Sequence, residues 1–383
     1  MTINAEAVGR GELRLFHTAD FHLGSPFACL DMREGEARRR EQLDVFAAAL
    51  GRAAESGCSA ILIAGDLFDC GYVDRETVRE VFGLLGRAGM PVVIAPGNHD
   101  PMTRGGVYSM KDMPDNVFIF DSPEMTYFDF PELRLRVHGY AFESERYTDD
   151  PLSADISLAE NCFNVLLAHA DIYSPLSTYA PINLRQLEAI GFDYVALGHV
   201  HKFEDPIRLG RTLLSYSGFP IGRSFDECGK GGALTVTLSS NTPLTANAER
   251  VILTDKQYLS ERIDVTGATS RSDLISAIRS HVSQKGYGSE TSLRLYLEGS
   301  VDPALPTDVL LSATDLGLAM LDIRNDTLPV FDGEYLENDL TLRGALYRQL
   351  LPRLTDADPR ERRVAAAALR MGLAAIEGRS VLS

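Results

Sequence analysis

The sequence predicts an α/β fold in which a buried, largely parallel sheet opens the chain, further strands follow, and a smaller α+β unit with a helical tail closes it. Three observations predict it. From residue 13 to about 240, short apolar runs alternate with amphipathic helical patterns. The first runs are apolar throughout, as in strands covered on both faces. The chain has 383 residues, too many for one ordinary core, so two or three domains are expected.

The elements follow in order. Apolar runs at Leu13 to Phe16, Ala60 to Ala64 and Pro91 to Ala95 read as strands, and amphipathic patterns over 36–56 and 74–88 read as the helices between them, giving βαβαβ. Residues 117–141 are β-rich with no helix between, which suggests antiparallel strands or a second sheet; Leu133 to Val137 is its clearest run. Asn164 to Ala168, Tyr194 to Leu197 and Ala233 to Leu238 are further strands. Residues 239–250, SSNTPLTANAER, are polar and Pro/Asn-rich and read as a boundary. Beyond it the pattern gives a strand over 259–265, a helix over 272–284, a strand over 292–298 and a helix over 305–318. From about 339 come two helices broken at Asp356–Pro359, the second with Val364, Ala367, Leu369, Leu373 and Ile376 on one face.

The bulk numbers bound the function. Hydrophobic content of 45% and charged content of 24% belong to a globular protein. Neither a signal peptide nor an 18-residue apolar stretch is evident, so a cytoplasmic protein without membrane contact is expected. The five cysteines (Cys29, Cys58, Cys70, Cys162, Cys228) include no CxxC pair, against a disulfide framework and a thiolate zinc site. They read as free thiols, with Cys58 and Cys162 buried beside strands. A net charge of −17 argues against coating nucleic acid by bulk electrostatics, but bound cations and a local basic strip can supply attraction where it is needed.

The chemistry concentrates at strand ends. TADFHLG places Asp20 and His22 after the first strand, AGDLFD places Asp66 and Asp69 after the second, and APGNHD places Asn98, His99 and Asp100 after the third. LLAHAD adds His169, and ALGHVH adds His199 and His201. Open α/β sheets carry their sites there. One such turn is more often a hydrogen-bonded core histidine than a ligand, but five of the same kind are hard to explain as structure. Carboxylate, imidazole and carboxamide without cysteine suit Mn²⁺, Fe²⁺ or Zn²⁺. Seven candidate ligands exceed the needs of one ion; two ions about 3.5–4 Å apart, sharing a carboxylate, account for them. Asp100 reads as structural, bonding turn amides, His17 and His138 as core residues, and His281 as a surface residue.

The succession D-x-H, G-D-x-x-D, G-N-H-D, a lone H and G-H-x-H resembles the signature of the calcineurin-like metallophosphoesterases. Within that superfamily, HTADFHLGSPF, GFDYVALGHVHK and YSGFP resemble bacterial DNA repair exonucleases of the SbcD and YhaO type, over about residues 1–225. The resemblance implies a four-layer α/β/β/α metallophosphoesterase sandwich over 1–245, a small α+β cap domain over 246–335, and a helical C-terminal tail over 336–383 as a partner-docking segment. It implies one metal held by Asp20, His22, Asp66 and His201, and a second by Asp66, Asn98, His169 and His199, with Asp66 bridging. His99 would contact the phosphate or protonate the departing oxygen, with Asp69 orienting its ring.

Two divalent ions, Mn²⁺ before Fe²⁺ or Zn²⁺, and hydrolysis of DNA phosphodiesters are the expectation: exonuclease action in DNA repair, with single-strand endonuclease action besides. The implied partner is an SMC-like or AAA-type coiled-coil ATPase docked on the C-terminal helices. Lys202, Arg208, Arg211 and Arg223 are candidate phosphate contacts, each equally readable as a solvated charge. The run Arg38–Arg40 reads as a solvated helix face. A homodimer would need an exposed apolar helix surface, placed along 74–88. GDLFDCG and GNHDP depart from the serine/threonine protein phosphatase pattern. A phosphodiesterase for nucleotides or other small esters, and a non-catalytic scaffold on the same fold, are the alternatives.

Overall fold

The computed structural model describes residues 11–376 except 29, 70, 110–112, 154, 241–244, 303–304, 306–310 and 331–332. The chain divides into two compact units, Met1–Lys256 and Gln257–Ser383.

The first unit begins with β1 (Glu12–Thr18), α1 (Met32–Glu55), β2 (Ala60–Ile63), α2 (Arg75–Gly86), β3 (Val92–Ile94) and β4 (Val117–Ile119). β5 (Thr126–Phe130), β6 (Leu135–Gly139), β7 (Phe163–His169), α3 (Leu184–Ile190), β8 (Tyr194–Gly198), β9 (Ile207–Leu209) and β10 (Thr212–Tyr216) follow, then β11 (Gly229–Ser239) and β12 (Thr245–Asp264). One sheet runs β12-β11-β1-β2-β3-β4, with β1 to β4 parallel and β11 antiparallel to β1. The other runs β5-β6-β7-β8-β10-β9, with β6, β7, β8 and β10 parallel and the two edge strands antiparallel.

Alternation along each strand builds the layers. Leu13, Leu15, Ala60, Leu62 and Val93 meet Leu135, Val137, Val165, Leu167 and Ala196 between the sheets. The opposite faces of the same strands, Phe16, Ile61, Ile63 and Ile94, pack on Phe46, Leu50, Val81 and Phe82 of α1 and α2. Leu166, Ala168, Val195 and Leu197 pack on the far side with Leu187 of α3. The result is the four-layer α/β/β/α metallophosphoesterase sandwich that the motifs implied. Asp31 and Asp74 cap α1 and α2 by accepting from amides of the first turn. Val78, Val81, Phe82 and Leu85 of α2 are buried against its own sheet, leaving Arg75, Glu76, Arg79, Glu80 and Arg87 exposed, so the apolar dimer surface expected along 74–88 is not there.

In the second unit, residues 257–264 of β12 pair in parallel with β13 (Thr291–Glu298). The sequence continues with α4 (Arg271–Lys285) before that strand, β14 (Ser300–Val301), α5 (Ala313–Leu316), β15 (Met320–Asn325), β16 (Leu328–Pro329), α6 (Gly333–Asn338), α7 (Leu342–Leu354) and α8 (Pro359–Ile376). β15 pairs in parallel with β13, and Leu274, Ile278 and Val282 of α4 cover Leu293, Leu295 and Leu297.

Five expectations need correction, the last of them the burial of Cys162. Residues 245–250 are strand, polar because many of them are exposed; 241–244 lie outside the described residues. The helix expected over 305–318 is only α5, begun by the cap of Ser312 and ended by Gly317 in the left-handed region; 306–310 lie outside the described residues. On α8 the buried positions are Ala365, Ala366, Leu369 and Leu373, whereas Val364 and Ile376 are exposed. His281 is part-buried and bonded to Glu261 (2.5 Å). Cys58 is buried, Cys162 half-buried and Cys228 exposed, all as free thiols; Cys29 and Cys70 lie outside the described residues. Among the described residues no helix is long and apolar enough to cross a membrane.

Candidate metal centre

The five motif turns all leave the carboxyl ends of strands, three from one sheet (β1, β2, β3) and two from the other (β7, β8). Their backbones are unusual. Of eight non-glycine residues at positive φ among those described, four are candidate ligands: Asp20 (55°), His22 (47°), Asp66 (50°) and His199 (99°). Such conformations cost up to about 1–3 kcal/mol each and persist only where surrounding structure enforces them. Here the first two loops are laced together: the N–H groups of Asp20, His22 and Leu23 donate to the carbonyls of Gly65 (3.1 Å), Asp66 (2.9 Å) and Leu67 (2.9 Å). Two glycines make the approach feasible. A Cβ on Gly65, at φ +88°, would lie 2.4 Å from His169 Nδ1, and one on Gly97 would lie 2.2 Å from Asp66 Oδ1.

Asp100 ties the second and third turns. Its Oδ1 accepts from the N–H of Asp66 (3.1 Å) and Gly97 (2.7 Å), and its Oδ2 from the N–H of Leu67 (2.7 Å) and Phe68 (3.1 Å) and the Tyr108 hydroxyl (2.5 Å). Burial and the Asp66 charge push this carboxyl up to about 7, but four backbone donors aimed at its oxygens favour the ionised form. The structural role read for Asp100 is what the bonds show.

The side chains converge. Ligand atoms of Asp20, His22, Asp66 and His201 all lie within 4.8 Å of one another. His22 Nε2 is 3.1 Å from His201 Nε2 and 3.6 Å from Asp66 Oδ2, and His201 Nε2 is 3.5 Å from Asp20 Oδ1. His169 Nε2 is 3.4 Å from the same Asp66 Oδ2 and 2.9 Å from Asn98 Oδ1. The His199 ring stands 5.2 Å from that of His169 and 4.7 Å from that of Tyr179, and the His199 backbone N–H donates to the Asp20 carboxylate (3.2 Å).

Asp20 and Asp66 are fully buried, and among the described residues no lysine or arginine pairs with either. A buried carboxylate without a cation is costly. Burial and the Asp20 charge raise Asp66, while Asp20 is held below its ordinary value because His201, His169 and His199 outweigh its burial. Burial keeps His22 neutral, pushing it well below the ordinary value, and lowers His199 to about 4. Imidazoles, buried carboxylates and a carboxamide aimed at one another are the donor set of a divalent-cation site, and seven of them suit two ions.

His99 lies at the mouth, half-exposed, its ring 4.6 Å from that of His22 and its Nδ1 3.6 Å from Asp69 Oδ1. The Asp69 carboxylate holds its pKa above the ordinary value. His22, Asp69 and His99 form a second group whose ligand atoms lie within 4.8 Å of one another.

Of the basic candidates, the structure brings only Arg223 to the cluster: its Nη2 is 3.2 Å from His201 Nδ1, and its charge helps to lower His22. Lys202 is exposed next to His201 in the chain. Arg208 donates to the Ala246 carbonyl (2.8 Å), and Arg211 pairs with the buried Asp193 at the amino end of β8, the opposite end from the ligands; neither joins the cluster. Arg38 of the basic run donates to the Gly222 carbonyl (2.8 Å), and Arg40 pairs with Asp44 and Glu80.

One member escaped the sequence reading. Glu227, in SFDEC, is buried with Oε1 2.8 Å from His201 Nδ1, and it accepts from the Arg223 N–H (2.7 Å) and guanidinium (Nη2, 2.6 Å). Although burial would raise it, His201 and Arg223 lower Glu227 to about 2. Its spacing from the histidine pair carries no motif, so no sequence signal marked it.

A family model described as calcineurin-like phosphoesterase matches residues 13–203. The chain is 25% identical over 301 residues to the metallophosphoesterase YhaO of Bacillus subtilis, covering 76% of this chain and 72% of that protein. It is 27% identical over 263 residues to SbcD, a component of the nuclease SbcCD of Bacillus subtilis, covering 58% of this chain and 66% of that protein. A dimetal phosphatase from Danio rerio aligns with 63% of this chain and 99% of its own, at 12% identity and a TM-score of 0.38.

Proposed function

Residues 13–203 form a calcineurin-like phosphoesterase domain, and from that premise we propose that the chain is a dinuclear-metal phosphodiesterase acting on DNA ends, an exonuclease with single-strand endonuclease action besides. One observation carries the dinuclear part. Asp66 Oδ2 stands 3.6 Å from His22 Nε2 and 3.4 Å from His169 Nε2, so one carboxylate oxygen serves two groups of donors. Asp20, His22, Asp66 and His201 would hold one ion, and Asp66, Asn98, His169 and His199 the other, with Mn²⁺ favoured by the oxygen and imidazole donors. Such ions neutralise the phosphoryl oxygens and acidify the attacking water. His99, whose pKa the Asp69 carboxylate raises, would give its proton to the departing oxygen, and Arg223 adds positive charge beside it.

The DNA assignment rests on the opening and GHVHK motifs and on the similarity to a nuclease component. A coiled-coil ATPase of the SMC-like or AAA type is the proposed partner, docked on the tail, where Leu340 (96%) and Leu342 (71%) are exposed. The free thiols suit the cytoplasm. The test is incubation with Mn²⁺ and, in parallel, end-labelled duplex DNA, single-stranded DNA, cyclic nucleotides and bis-p-nitrophenyl phosphate. Shortened DNA is expected. Turnover of small esters alone overturns the DNA assignment, and no turnover with both ions bound overturns the enzyme. Deleting 339–383 should abolish ATPase association and leave diester hydrolysis intact; association that survives the deletion overturns the docking site.

A further inference from the structure

We propose that Glu227, clamped by Arg223, is a positioning residue that fixes the tautomer and orientation of His201 and thereby sets the affinity of one of the two cations and not the other. This rests on the dinuclear reading above.

The argument starts from the two nitrogens of His201. Nε2 faces His22 Nε2 and Asp20 Oδ1, where a cation would sit, and Nδ1 faces Glu227 Oε1 at 2.8 Å. A carboxylate only accepts, so Nδ1 carries the hydrogen, and when His201 holds a cation Nε2 is the nitrogen that presents its lone pair inwards. Without that acceptor, Arg223 Nη2, 3.2 Å from Nδ1, would donate to it instead and favour the opposite tautomer, with a proton on Nε2 where the cation belongs. Glu227 prevents this by taking the guanidinium itself, through Nη2 (2.6 Å) and Nε (3.0 Å), while its other oxygen accepts the Arg223 backbone N–H (2.7 Å). With every oxygen engaged and only 4% of its surface exposed, the carboxylate has no freedom to swing away.

The other half-site is held differently. His169 Nδ1 is 3.0 Å from the Ala64 carbonyl, a backbone acceptor that side-chain substitution leaves in place. Glu227 therefore acts on one ion: the one bound by Asp20, His22, Asp66 and His201.

The test titrates Mn²⁺ into the full chain by calorimetry and follows it by electron paramagnetic resonance, where two coupled ions and one isolated ion give different spectra. The unaltered chain should bind two equivalents and show the coupled spectrum. Glu227→Ala should weaken one equivalent about 10- to 100-fold, leave the other unchanged, and show the isolated-ion spectrum at one equivalent. Glu227→Gln keeps an oxygen for His201 and should recover most of that affinity. Arg223→Ala, should Glu227→Ala not fold, is expected to weaken the same equivalent alone. Two equivalents of unaltered affinity in the folded variants overturn the inference and leave the dinuclear reading standing, and equal weakening of both ions overturns it likewise. Fewer than two equivalents in the unaltered chain overturns the dinuclear reading, and this inference with it.

Discussion

Asp100→Asn is the most informative small perturbation of the scaffold. The carboxylate takes two backbone N–H donors on Oδ1 (Asp66, Gly97) and two more on Oδ2 (Leu67, Phe68), with the Tyr108 hydroxyl beside the latter. Asparagine matches its shape but has one oxygen. Whichever way the amide turns, its NH₂ faces two backbone donors that cannot accept; only the Tyr108 hydroxyl can reverse its role. Two buried donors left without partners cost about 1–3 kcal/mol each, roughly 2–6 kcal/mol together. With a urea dependence of about 3 kcal/mol per molar, the unfolding midpoint should fall by roughly 0.7–2 M. Far-UV circular dichroism in urea measures it, and Mn²⁺ content reports whether the Asp66 and Asn98 turns drift apart. A midpoint lowered by less than about 0.3 M at unchanged slope would refute the claim that these bonds brace the two turns.

Four further outcomes are expected. His99→Ala should retain both metals and lose about 10²- to 10⁴-fold in turnover; loss of metal would make His99 a ligand. Gly97→Ala should fail to hold its full metal content, because the new Cβ would stand 2.2 Å from Asp66 Oδ1; an unchanged content by elemental analysis contradicts that. His17 is buried, and burial lowers it from 6.5 to about 3. The unfolded chain therefore binds its proton first, and stability present above pH 6.5 is lost as pH falls towards 3. Relative to His17→Gln, the unaltered chain should lose about 2 kcal/mol between pH 7 and pH 5, read from urea midpoints; parallel losses would disprove it. Chelation of the metals should lower Tm by leaving Asp20 and Asp66 buried without a cation, and an unchanged Tm would count against their holding one.

The candidate ligands were legible because their chemistry sits at strand ends, and strands covered on both faces announce themselves as apolar runs. Asp20, Asp66 and Asn98 could be picked out before any geometry was known. Glu227 could not, since a lone glutamate in a loop looks like any surface charge until its burial and its distance to His201 are seen. Nor do the positive φ angles at Asp20, His22, Asp66 and His199 leave a trace, because none of these is a glycine. β15, reading MLDIRN, has too little periodicity to declare a strand, and only its pairing with β13 makes it one. On α8 Leu369 and Leu373 of the expected stripe are buried, but Ala365 and Ala366 complete that face while Val364 and Ile376 face solvent, so the stripe was only half legible. Arg211 was near the ligands along the chain but belongs to the far end of its sheet, a distinction that needs strand direction.

Three ligand turns hang from one sheet and two from the other, while the layer between the sheets consists mostly of apolar side chains, crossed by the His17–Tyr194 hydrogen bond (2.8 Å). The centre thus works as a gauge of how the two sheets are seated. A slip of either sheet by a fraction of an ångström leaves every strand and helix intact but separates Asp66 from His169. On heating, metal should escape before helical signal is lost, making the ions the earliest reporters of loosening in this sandwich.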